Sequence, residues 1–165
     1  MQAFAEWLRD TPMSLTIQTT EWMLPIIQSI HILAIGVIFA SVLVVALRVF
    51  GVVARNQSMG ATAARFVPWV WGSLLVLLAT GVLMIVAEPV RELMSPAFWT
   101  KMALIVVGGV ITLLFQGHVK RQASGEGAAG EPTAVRFAAA GTIVVWCAII
   151  FLGRWIAYAP TWAVY

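Results

Sequence analysis

Charge is the scarcest commodity in this chain of 165 residues. Only 10% of its positions are Asp, Glu, Lys or Arg, against 61% hydrophobic residues. That balance excludes an ordinary soluble domain, in which about a quarter of the residues are charged. Cysteine is nearly absent: Cys147 stands alone, so no internal disulfide can form and the redox compartment cannot be read from thiols. Histidine occurs only twice, at His31 and His118. The chain has no pair of catalytic carboxylates, no nucleophile with a neighbouring base and no glycine-rich phosphate loop, and no Met-x-x-Met or Cys-x-x-Cys spacing supports a copper site. A net charge of +3 is too small and too dispersed for a nucleic-acid footprint. Glu6, Arg9, Asp10 and Pro12 interrupt the first 20 residues, so that segment does not read as a cleavable signal peptide.

What the chain has instead is long apolar runs. A helix needs roughly 20 apolar residues to cross a bilayer, and four stretches qualify, from about 22 to 47, 68 to 87, 101 to 117 and 137 to 158. The expected fold is therefore all-α, a four-helix transmembrane bundle over residues 21–165, preceded by an interfacial segment over residues 1–20. In that segment Phe4, Trp7 and Leu8 repeat at helical spacing beside charged neighbours. The connection after the first span is basic, the next is short and bracketed by prolines, and the polar stretch from Gln122 to Pro132 reads as a flexible loop.

Arg48, Arg55 and Arg65 lie in the first connection, and Lys120, Arg121 and Arg136 flank the third. Cytoplasmic loops collect such residues. Both termini are thus expected on the non-cytoplasmic side, N-out and C-out, in a bacterial inner membrane. Trp22, Trp99, Trp155, Tyr158 and Trp162 then form an outer aromatic belt, with Trp69 and Trp71 as an inner one.

His31 is the position that asks for an explanation, since an ionisable residue inside a span faces the bundle interior or a cavity and has a partner. Counting down the helix puts it roughly 13 Å below the outer surface. A neutral imidazole there either ties two helices together or ligates a metal or haem iron. Gly36, Ala40 and Ser41 on the same span are small enough to admit a flat cofactor or another helix. Lys101 and Arg154 are cations in the same outer half and could meet haem propionates; alternatively Lys101 snorkels to the headgroups and Arg154 pairs with Glu88 or Glu21. His118 lies roughly 12 Å deeper than His31, which argues against a shared iron, though it could hold a second cofactor. Met84 could complete an iron site with His31, but methionine in an apolar span is usually core. Ser73, Thr80 and Thr142 read as interhelical hydrogen-bonding groups, and Trp146 as packing or a cofactor wall.

The run from Glu21 to Gly51, with His31 followed by Ile-Leu-Ala-Ile-Gly and closing on Leu47-Arg48-Val49-Phe50-Gly51, resembles an uncharacterised family of four-span bacterial membrane proteins of the DUF6644 or DUF2214 type. Trp146 and the stretch Gly153-Arg154-Trp155-Ile156-Ala157-Tyr158 are similar to that family's ending. A looser similarity is to HemJ-type protoporphyrinogen oxidases and the membrane domain of CopD copper-resistance proteins. The HemJ-type proteins bind haem b and carry a histidine in the first span and a Trp and Lys entering the third, which His31, Trp99 and Lys101 match; the end of span three and the residues around Arg154 lie outside that pattern.

The resemblance implies a haem-associated bundle. The first functional expectation is a haem b protein, with His31 on the iron, passing electrons between a periplasmic-side partner and the quinone pool. The alternative is a non-catalytic subunit that anchors or stabilises a larger membrane complex. Expected partners are the lipid bilayer, other membrane or periplasmic subunits and, on the first expectation, quinone; nucleic acid is not among them.

Overall fold

The computed structural model describes the backbone of residues 1–53, 56–123 and 133–158, and the side chains of all of these except 115, 116, 118–123 and 156–158. Among the described residues the chain forms seven helices and no strand: α1 (Gln2–Arg9), α2 (Pro12–Thr19), α3 (Met23–Val49), α4 (Met59–Ala87), α5 (Pro89–Leu93), α6 (Pro96–Ala123) and α7 (Thr133–Tyr158). Four of them, α3, α4, α6 and α7, are long and apolar enough to cross a membrane. The protein is a multi-pass membrane protein built as a four-span helical bundle.

Three of the long helices begin earlier than the apolar runs do, because capping rather than hydropathy sets where a helix starts. α4 begins at Met59 instead of near Pro68, on Ser58, whose hydroxyl accepts the backbone N–H of Ala61 at 3.1 Å. Such a cap satisfies one of the donors a first turn leaves over. Pro68 therefore sits inside the helix, where it cannot donate to the Ala64 carbonyl one turn back. α6 starts at Pro96, a residue whose fixed φ suits a first turn, and α7 starts at Thr133.

The end of α3 is set by Gly51, which has φ 71°. Val52 donates to the Leu47 carbonyl at 2.9 Å and Gly51 to that of Arg48 at 3.0 Å, the paired bonds of a Schellman termination. A side chain would strain that left-handed residue although the space around it is open. Gly51→Ala is expected to cost about 1 kcal/mol, read as a lower midpoint in SDS titration of the purified protein.

The bundle packs as two antiparallel hairpins, α3 with α4 and α6 with α7, joined chiefly where α3 meets α7. Three apolar layers show the register. Ala46 and Val49 meet Met59, Ala63, Val135 and Ala139 at one end. Ile38 and Val42 meet Val70, Trp146 and Ile149 in the middle. Ile27 meets Ala87 and Ile17 of α2 at the other end. Around that last end α1, α2 and α5 fold over the helix termini, α2 being fixed by Ser14, whose hydroxyl donates to the Val86 carbonyl at 2.6 Å. The α4–α6 contact is thin, so the ring of helices is open along that side.

Candidate functional site

The fold brings His31 of α3 against Thr80 of α4, with Nδ1 and Oγ1 2.7 Å apart. The same hydroxyl lies 2.7 Å from the Val76 carbonyl of its own helix. A threonine has one proton to donate. Given to Val76, it leaves Thr80 as acceptor, so the imidazole proton belongs on Nδ1 and Nε2 keeps its lone pair. Thr80 is buried and His31 is half-buried. Gly81 of α4 lies beside the ring, a Cβ there standing at an ordinary contact distance of 3.8 Å from His31 Cε1.

On the α5 side of His31 lies Lys101, near enough to act electrostatically on both His31 and Glu92. Its ammonium is 5.9 Å from the centre of the Phe98 ring, within range of a cation–π attraction. Gly153 of α7 lies beside its stem, a Cβ there standing 4.0 Å from Lys101 Cδ. Glu92, in α5 and outside the spans, is 8% exposed. Burial pushes its carboxyl above the ordinary value, opposed by the positive charges of Lys101 and Arg91 and reinforced by Glu88. Lys101 thus acts electrostatically on Glu92 and on His31, and His31 alone of these makes a direct contact with Thr80. Sequence inspection misses Glu92 because it lies in a five-residue helix outside any apolar run.

The other candidates fall elsewhere. Gly36 is five residues beyond His31, which turns it roughly 140° around the helix axis; it is exposed, and no atom lies within 4 Å of where its Cβ would be. Ala40, one turn on, is exposed too, whereas Ser41 is buried and bonded to the Val37 carbonyl. Trp99 is exposed and donates its indole N–H to the Leu93 carbonyl at 3.0 Å, closing the α5–α6 turn. Arg154 is exposed near the end of α7. Glu88 is bridged by Arg91, its neighbour three residues on, at 3.0 Å. Met84 packs in the apolar layer with Ile17, Ile27 and Ala87. Thr142 turns its hydroxyl onto the Ala138 carbonyl of its own helix, so of the hydroxyl groups singled out from the sequence it is Thr80 that bonds a neighbouring span. The side chain of His118 lies outside the described residues.

A haem would find part of what it needs here. The Nε2 lone pair and the hydrogen-bonded Nδ1–H are the two features of a ligating histidine. The space is another matter. Two cavities within the bundle have volumes of about 40 and 20 Å³, and neither is lined by His31. A porphyrin on this imidazole would have to lie against the half-exposed flank of the helices. Among the described residues no group of three or more His, Cys, Asp or Glu side chains could hold a metal ion.

A family model described as a family of unknown function, DUF6644, matches residues 5–159. No curated protein and no solved structure matches the chain.

Proposed function

The chain belongs to that family of unknown function, and from this premise we propose that it is a non-catalytic integral membrane subunit whose helix faces dock against other membrane proteins. The observation that carries this reading is the bare backbone on the outside of α3 and its neighbours. Gly36 and Ala40 form a small-x-x-x-small pair, both exposed, of the kind that lets another transmembrane helix approach closely. Gly72 and Gly117, also exposed, likewise have no atom within 4 Å of a Cβ position. Glycine inside a helix costs about 1 kcal/mol relative to alanine, and lipid gains nothing from a bare backbone. α6 supports the same reading, because only 11% of its apolar window is buried. The subunit sits N-out and C-out in a bacterial inner membrane, with the Arg48, Arg65 and Arg136 end cytoplasmic and the α5 end facing periplasmic partners.

Extraction in a mild detergent is expected to give a particle whose protein mass by light scattering exceeds one chain. Gly36→Leu should return it to a single chain with an unchanged melting temperature. A wild-type monomer, or a variant that assembles like wild type, ends the proposal.

A second reading, haem b held by His31, is favoured by the proton arrangement at Thr80, which leaves Nε2 free to bind iron. Lys101 and Arg154 would then face the propionates. When bound, the haem supplies one-electron transfer between a periplasmic-side partner and the quinone pool; the chain's own part is to hold and orient the imidazole. On this reading the purified protein has a Soret band that His31→Ala abolishes, and a flat spectrum refutes it.

A further inference from the structure

All four spans meet around Trp146 in the middle of the bundle. The residue is 4% exposed, and its indole edge lies against α6 at Gly108, where a Cβ would stand 3.8 Å from Nε1. Indole N–H can only donate. Among the described residues Trp146 Nε1 is the one buried side-chain nitrogen or oxygen without a hydrogen-bond partner. Lipid cannot supply a partner as water does at a soluble surface.

Trp146 lines the cavity of about 20 Å³, whose other walls include Ile38, Val70, Leu74, Ile105 and Thr112. The Thr112 hydroxyl gives its proton to the Gly108 carbonyl at 2.8 Å, so it presents a lone pair. The residues around the cavity therefore supply two indole donors, the buried and unpartnered Trp146 and its neighbour Trp71, one weak acceptor on Thr112, and otherwise hydrocarbon and the backbone of Gly109. That inventory selects the ligand. Buried anions are paired with cations, and none of these walls carries a positive charge. A group that could only donate would find Trp146 competing with it. The space is close to the roughly 10–15 Å³ that one water requires and too small for a ring.

We infer that Trp146 anchors a mid-membrane binding site for a single hydrogen-bond-accepting oxygen. That oxygen comes either from a buried water or from the carbonyl of an apolar membrane-soluble molecule whose body lies outside the cavity. The two sources differ at Thr112. A water accepting from Trp146 donates onward to Thr112 Oγ1 and so bridges α6 and α7, whereas a carbonyl has no proton to give and ignores Thr112.

The test uses the whole protein in nanodiscs with ¹⁵N-labelled tryptophan, Trp146→Phe serving only to assign the Trp146 indole signal. In wild type that proton is expected downfield, at a hydrogen-bonded position. Thr112→Val shifts it upfield, with the indole signals of the tryptophans outside the cavity unmoved, if water is bound. Exhaustive delipidation in detergent shifts it, and added decylubiquinone restores it, if a carbonyl is bound. An indole signal at a free N–H position, or one that stays put under both treatments, overturns the assignment.

Discussion

Lys101→Met is expected to lower the stability of the purified protein by about 1 kcal/mol at neutral pH, the scale of a charge attraction acting through space rather than that of a broken buried ion pair. The loss comes from Glu92, which is 8% exposed and whose charge Lys101 offsets. Burial already raises the Glu92 pKa above 4.5, and removing Lys101 removes an opposing influence, so the variant's Glu92 holds its proton to still higher pH. The sign follows from linkage: a carboxyl with a raised folded pKa favours the folded state fully below its unfolded pKa, and that contribution is lost as pH rises through the folded pKa. Wild type and variant should therefore differ least at acid pH and diverge toward neutral pH as Glu92 ionises. Glu92→Gln combined with Lys101→Met should recover most of the loss. SDS titrations at several pH values measure this, and a deficit independent of pH would place the role of Lys101 elsewhere, in its contact with Phe98.

The four spans were legible because the bilayer demands long apolar runs, and no competing pattern in this chain gives one. Their starts were less so: Ser58 caps α4 in a stretch whose Gly, Ala and Thr residues carry no hydropathy signal, and a proline at position 68 reads as a boundary although the helix runs through it. The site was half legible. His31 stood out because a histidine within an apolar run is rare, but its partner lies 49 positions away, and which of several hydroxyls it meets depends on helix rotation. The same rotation decides that Gly36 faces outward. Glu92 and the orphan donor of Trp146 are properties of three-dimensional packing, and a single sequence gives no sign of either. Arg91 bridges Glu88 because a neighbour three residues away in the α5 turn reaches it without leaving the surface.

Thr80→Val keeps the shape of the side chain and removes its oxygen, so it separates the two uses of His31. With the hydroxyl gone, the imidazole Nδ1–H has no acceptor in a lipid-surrounded site, and the expected loss is about 1–2 kcal/mol, within the range for an unsatisfied buried donor. His31→Leu removes the donor as well. The double variant should be more stable than Thr80→Val alone, with a coupling of about 1 kcal/mol, as measured for hydrogen bonds between membrane helices. If the ring only ties α3 to α4, that coupling is the whole effect, and the absorption spectra of wild type and Thr80→Val are alike. If the ring binds iron, Thr80 orients it, and loss of such a supporting bond costs roughly 10–100-fold in affinity, so a Soret band present in wild type should fade on dilution of Thr80→Val before the protein unfolds. A coupling near zero would mean that the 2.7 Å contact carries neither role, and that His31 is tolerated in the span because its half-exposed edge reaches polar groups nearer the α5 end.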